Sequence, residues 1–398
     1  MVVREIRKNI YSIGVVDWNR REFDALIPLP DGTSYNSFII RGSEKTALID
    51  TVDSAFEEEF ISNIATLIRM GLNGLDYIVV NHAEQDHSGA LPMLLELFPM
   101  ATIVTTEKCR VLLEKLLLIP DAKFKIVKDG ETLSLGDRTL EFIHAPWVHW
   151  PETMLTFERE DGILFPCDLF GSHYATSDLF VSDERALYAP AKRYYAEIMM
   201  PFRTQIQKHL ERLSEFDIKI IAPSHGPFYD RPEIILNLYR EWISDDVQNR
   251  VLIPYISMHG STGAMVKQLS DLLISRGIDV VQFDISGGDI GRLAMELVDC
   301  ATIVIASPTV LFGPHPKVAY AAFLTNALKP KARVATVIGS YGWGGKAVSD
   351  IVAMIHNLQA ELLDPVYVNG YPDESAMADL GKLADQILEK HREFGIAE

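Results

Sequence analysis

Four potential metal ligands fall within six positions of one short stretch: His82, Glu84, Asp86 and His87 in NHAEQDHSG. They directly follow the apolar run LDYIVV, so they sit at the end of what reads as a buried strand. Imidazoles and carboxylates at this density suit a metal ion better than a packed core, where charge is costly to bury unpaired. A backbone that stays extended past the strand would turn His82, Glu84 and Asp86 to one side and His87 to the other. Three further groups of the same chemistry each closely follow an apolar, strand-like run: His149 in APWVHWPETM, Asp168 in FPCDLFGSH and His225 in IAPSHGP. Strands lying side by side would bring all seven to one sheet edge. A carboxylate-enriched nitrogen and oxygen set suits redox-active iron, whereas zinc hydrolases favour imidazole-rich sites.

The elements that must position these groups occupy roughly the first 245 of 398 residues. TSYNSFII, KTALIDT and DYIVVNH read as strands, rich in β-branched and aromatic residues and bounded by Gly, Asp or Asn. SAFEEEFISNIATLIRMG and GALPMLLELFP carry apolar residues at helical spacing, each closed by Gly or Pro. More strand-length runs follow, then a helical stretch from APAKRYYAE to HLERLSEF and one more strand, IKIIAPSHG. This order suits an α/β domain of two helix-flanked sheets. From about Arg250 five strands alternate with five helices, the pattern of a doubly wound five-stranded parallel sheet. The expected boundary lies in EWISDDVQNR, giving domains 1–248 and 249–398.

Ligands of such a parallel sheet sit beyond the carboxyl ends of its strands. Three loops are expected there. Ser257, Met258, His259, Gly260, Ser261, Thr262 and Gly263 link the first strand to the first helix, and their hydroxyls and backbone N–H groups form an anion site at a helix N-terminus. Pro308, Thr309, Val310, Leu311 and Phe312 form the second loop, and Ser340, Tyr341, Gly342, Trp343, Gly344 and Gly345 the third. Exposed aromatics at this edge suit a flat ligand. Together the loops resemble the flavin mononucleotide (FMN) site of flavodoxins. GWGGKA also fits a dinucleotide fingerprint, but it follows the fourth strand rather than the first, and Lys346 lacks Walker spacing.

The seven-residue set resembles that of the metallo-β-lactamase fold, HxHxDH with a distant His, Asp and His. Here the pattern is HxExDH, the exchange that marks the flavodiiron proteins, whose second half is a flavodoxin. The resemblance covers essentially the whole chain, including VDWNRREF and GTSYNSFII. It implies an N-terminal metallo-β-lactamase-like αββα sandwich that holds two iron ions. His82, Glu84 and His149 would hold one, Asp86, His87 and His225 the other, with Asp168 bridging; in some relatives a water replaces His87. His173 and Tyr194 or Tyr195 are candidates for outer contacts, with helix packing the alternative for both tyrosines, and the other histidines are not assigned to metal. The implied activity passes electrons through FMN to the diiron pair, which reduces O2 to water or NO to N2O. It also implies a head-to-tail homodimer or dimer of dimers. The external donor would be a rubredoxin or reduced F420, and the wording SMHGST resembles that of coenzyme F420H2 oxidases. The rival reading is a hydrolase of the lactamase fold with an accessory flavodoxin module.

Composition narrows the partners. A net charge of −18 argues against nucleic acid and anionic membranes. No apolar run reaches the ~18 residues of a membrane span, and the first residues lack a secretory signal. The three cysteines, Cys109, Cys167 and Cys300, form no CxxC pair. That fits a cytoplasmic protein and excludes a fused rubredoxin or ferredoxin within this sequence.

Overall fold

Short apolar runs, each cut by Gly, Asp or Asn, give the first half of the chain many brief strands, and these stack as two sheets. The computed structural model describes residues 3–119 and 124–398. Seven strands form the first sheet, in the order Arg4–Arg7, Ile10–Ser12, Phe38–Arg41, Thr46–Ile49, Tyr77–Val79, Thr102–Thr105 and Phe124–Ile126. The last four run parallel, joined by helices that return over one face. Thr132–Ser134, Thr139–His144, Met154–Glu158, Ile163–Phe165 and Ile220–Ile221 form the second sheet. Between them Phe38, Ile49 and Val79 pack on Phe142, Met154 and Phe165, with the Phe38 and Phe165 rings 4.7 Å apart. Glu57–Arg69, Leu91–Leu97 and Glu107–Leu117 cover the first sheet's outer face through Phe60, Leu91 and Leu113. This is the αββα sandwich, and the strand ends at one edge carry the ligand candidates.

The second sheet system is parallel and ordered Asp279–Asp284, Gln248–Tyr255, Cys300–Val310, Val334–Tyr341, followed by Glu361–Leu362 and Val366–Asn369 along the last strand. That 2-1-3-4-5 order is the flavodoxin-like one. The chain divides into compact units Met1–Ile243 and Ser244–Glu398, slightly before the expected boundary. Ser244 and Asp245 go with the second unit because their carbonyls accept hydrogen bonds from Lys331 and Arg333, at 3.2 and 2.9 Å. Among the described residues no helix is long and apolar enough to cross a membrane, and Cys109, Cys167 and Cys300 are buried free thiols.

One buried histidine pins the final helix, Glu374–Glu393, to this sheet. The His391 Nδ1–H donates to Asn249 Oδ1 at 2.7 Å, and Nε2 accepts from the Thr302 hydroxyl at 2.8 Å. An amide oxygen can only accept, which sets the neutral tautomer. Burial pushes the His391 pKa down to about 4, against about 6.5 in an unfolded chain. The unfolded state therefore binds the proton first, so the contribution is complete above pH 6.5 and is lost as pH falls through 4, about 3 kcal/mol in total. Calorimetry of the full chain checks this. The unfolding temperature of wild type minus that of His391→Gln shrinks between pH 7 and pH 4; a pH-independent difference would refute it.

Candidate diiron and flavin sites

The segment NHAEQDHSG leaves the strand Tyr77–Val79 and, contrary to the extended reading, closes into a short helix, Gln85–Ser88. Glu84 is its N-cap, and its carbonyl accepts from the N–H groups of His87 and Ser88, each at 3.0 Å. Because the backbone turns there, His87 points into the same site as its neighbours and not away from them. His149 lies in the loop between Thr139–His144 and Met154–Glu158, and Asp168 follows Ile163–Phe165 through Cys167, a non-glycine residue with φ 52°. His225 follows Ile220–Ile221. All seven expected groups are thereby brought together.

They form two clusters, His82, Glu84, His149 with Asp168, and Asp86, His87 with His225. In the first, Glu84 Oε2 lies 3.0 Å from His82 Nε2 and 3.1 Å from His149 Nε2. In the second, Asp86 Oδ2 lies 3.2 Å from His87 Nε2 and 3.1 Å from His225 Nε2. Asp168 faces both. Its Oδ2 is 3.5 and 3.3 Å from His82 and His149, and its Oδ1 is 2.9 and 3.4 Å from His87 and His225. Donor atoms about 3 Å apart are what ligands about 2.0–2.2 Å from one ion produce. His87 Nε2 in the second cluster and Asp168 Oδ2 in the first are moreover buried without a hydrogen-bond partner, which suits a cation in each.

Electrostatics agree. Burial alone would lower the His225 pKa, yet the facing Asp168 and Asp86 carboxylates push it up to about 10. Burial is likewise outweighed at His149, which Asp168 and Glu84 push up to about 9. Burial would raise Glu84 and Asp168, but the facing imidazoles hold both below the usual carboxylate range.

Outer contacts fix the imidazoles. Glu152 Oε1 accepts from His82 Nδ1–H at 2.7 Å and from the Ala83 N–H at 3.1 Å. The Ser34 carbonyl accepts from His225 Nδ1–H at 2.6 Å. In both rings the proton on Nδ1 leaves the Nε2 lone pair facing the cluster. Glu152 and Ser34 are not among the residues that the sequence singles out. The two tyrosines separate. Tyr194 donates its hydroxyl to Asp168 Oδ1 at 2.9 Å, while Tyr195 donates to the Trp242 carbonyl and packs among Tyr239 and Trp242. His173 Nδ1 lies 2.9 Å from Thr33 Oγ1, and burial, with the nearby His225, keeps this imidazole neutral. A cavity of 160 Å³ opens over the clusters, walled by Phe23, Ile27, His173, Tyr194 and Ile198. A larger cleft of 820 Å³ around Arg41, Lys45 and Asp76 lies at the opposite strand ends and includes none of the seven.

In the second unit the first loop turns at Gly260, φ 91°, into the helix Ser261–Ser275. Ser257 Oγ accepts from the Gly263 N–H at 3.0 Å. The Thr262 hydroxyl at the helix start is buried and has no protein hydrogen-bond partner, which suits a donor to an anion at this helix N-terminus. The second segment is a β-hairpin rather than a loop: Pro308, Thr309 and Val310 end the strand Cys300–Val310, which pairs back on Gly313–Pro314. Its tip, Leu311 and Phe312, has positive φ and is 89% and 63% exposed, and Trp343 in the third loop is 82% exposed. Such exposure of large apolar groups marks a surface that meets a ligand or partner.

The family described as ODP family beta lactamase matches residues 33–226. The nitric oxide reductase of Moorella thermoacetica is 36% identical over 364 residues, 90% of each chain. Among solved structures, the rubredoxin oxygen:oxidoreductase of Desulfovibrio gigas superimposes with a TM-score of 0.93 at 29% identity over 98% of each chain. The flavodiiron protein of Giardia intestinalis does so with a TM-score of 0.88 at 33% identity, again over 98% of each. With its lactamase-like and flavodoxin-like halves and relatives above 30% identity along nearly its whole length, the chain belongs to the flavodiiron protein family.

Proposed function

We propose that this chain is an oxidoreductase that takes electrons from an external donor through FMN to two irons and there reduces O2 to water or NO to N2O. The observation that carries the reading is Asp168, with one oxygen turned to each cluster. His82, Glu84 and His149 hold one iron, Asp86, His87 and His225 the other, and the first-loop residues Ser257–Gly263 take the FMN phosphate. Three carboxylates set against two ferrous ions leave little net charge to bury, which supports the assignment. When bound, two irons supply two electrons and FMN two more, the count for O2 + 4e⁻ + 4H⁺ → 2H2O. The NO reaction, 2NO + 2e⁻ + 2H⁺ → N2O + H2O, needs half as many.

The chain's own groups do the rest. Glu152 and Ser34 orient two imidazoles. Phe23, Ile27 and Ile198 wall the cavity with apolar surface, which limits water at the reacting centre. The Tyr194 hydroxyl holds Asp168. His173 lines the same cavity, and its buried Nε2 has no protein partner. Names of relatives support the substrates: one is a nitric oxide reductase and one a rubredoxin oxygen:oxidoreductase. A rubredoxin or reduced F420 is the proposed donor, and a head-to-tail homodimer the proposed assembly, since a closed two-fold arrangement would let flavin and iron of different chains meet.

The direct test reduces the purified protein anaerobically and follows O2 and NO on an electrode, with iron and FMN assayed in the same sample. Loss of O2 without peroxide, or of NO with N2O formed, is expected. Zinc in place of iron, with neither gas consumed, would favour the hydrolase. A second expectation concerns Glu152. Glu152→Ala weakens iron retention against a chelator by ~10–100-fold, because His82 loses the partner that sets its tautomer. Glu152→Gln, which keeps an acceptor oxygen, retains most of the affinity; equal retention in all three proteins would remove Glu152 from the site's design.

A further inference from the structure

The two aromatic segments at the flavin edge have little packing of their own, because Leu311, Phe312 and Trp343 are largely exposed. The Lys346 N–H donates to the Phe312 carbonyl at 2.6 Å, which joins the segments near their tips, while their roots are spaced from beneath. The strand Val366–Asn369 lies parallel to Val334–Tyr341, with Tyr367 opposite Gly339. Tyr367 reaches both segments. Its hydroxyl shares a hydrogen bond of 2.7 Å with Thr309 Oγ1, two residues before the hairpin tip. Its ring stacks on Tyr341 at the root of the third loop, with centroids 5.8 Å apart and planes 10° from parallel.

Three details show close packing at this junction. Gly339 has φ 156°, and a Cβ there would clash first with the Ser307 carbonyl oxygen and would lie 2.7 Å from Tyr367 Cε2. Gly345 passes so close to Thr309 that a Cβ would lie 2.7 Å from its methyl group. Asn369, two positions along the same strand, donates through Nδ2 to the Gly342 carbonyl at 2.7 Å. The last strand therefore grips the third loop at Tyr341 and Gly342 and the hairpin at Thr309.

We propose that Tyr367 is a positioning residue for the flavin: by tying Thr309 to Tyr341 it sets the spacing of the two segments that bracket the ring, and with it FMN affinity and potential. The inference rests on the FMN site proposed above. Loops that must be ordered on binding charge that cost to affinity, and a pre-set spacing avoids it. Tyr367→Phe removes the hydroxyl and keeps the stack; Thr309→Val removes the partner at nearly constant shape.

The experiment titrates FMN into flavin-depleted full-length protein by fluorescence quenching, then measures midpoint potentials and semiquinone yield of the reloaded protein. Each single variant is expected to bind FMN about fivefold more weakly, the worth of one net hydrogen bond. The double variant should be no weaker than either single one, because both act through one contact. A shifted potential or semiquinone yield at unchanged iron content completes the expected result. Unchanged FMN affinity and potential in both single variants would overturn the role of Tyr367. A lowered unfolding temperature with unchanged flavin properties would overturn it too, leaving a purely structural contact. If wild type itself takes up no FMN, the FMN site fails first, and that outcome is distinct from variants that match a flavin-binding wild type.

Discussion

The carboxylate of Asp168 is the constraint on which the first unit depends. One oxygen serves each cluster, so two groups of imidazoles must converge on it from opposite sides within about 3 Å. Burying three carboxylates and four imidazoles together is expensive unless every charge meets its opposite. The strands meet that demand by ending at a common edge, and Cys167 meets it locally by adopting φ 52°, a left-handed turn that β-strand continuation would not provide. Protonated imidazoles can balance the carboxylates when no ion is bound, as the raised His149 and His225 show. Metal ions held by these residues would displace those protons, which would couple metal affinity to pH.

The second unit works by a different physics. Its ligand edge is a set of exposed turns held from below, with one buried, unpartnered hydroxyl, Thr262, within the first loop. Rigidity there comes from the parallel sheet and from contacts such as Tyr367 with Thr309, not from a network of opposed charges.

Much of this was legible in the sequence because ligand types and strand ends are local features. The HxExDH stretch, the residues after three later strands and the alternation beyond Arg250 are patterns of a few residues each. What was not legible depended on backbone rotation or distant partners. Whether His87 faces the cluster turns on a single helical turn at Gln85–Ser88, which four polar residues do not announce. Tyr194 and Tyr195 are adjacent and alike, and only the rotation of about 100° per helical residue separates a hydroxyl on Asp168 from one on Trp242. The partners Glu152 and Ser34 lie 70 and 191 positions from the histidines they hold, a distance over which no spacing rule operates.

Glu84 joins these strands of argument. Ser, Thr, Asp or Asn at an N-cap turns its side chain onto the N–H groups of the first turn, which is worth about 1 kcal/mol. Glu84 holds the N-cap of Gln85–Ser88 yet makes no such side-chain bond. Its carboxylate points instead to His82 and His149. The turn is secured from elsewhere, by the Ser88 hydroxyl, which donates to the carbonyls of Ala83 and Glu84 at 2.8 and 3.0 Å. Ser88 thus takes over part of the local structural task and leaves the carboxylate to the ligand cluster. A histidine at position 84 could join the imidazoles as a metal ligand, but it would remove one of the three negative charges that offset two iron ions. The short helix goes without a side-chain cap, and the site keeps that charge.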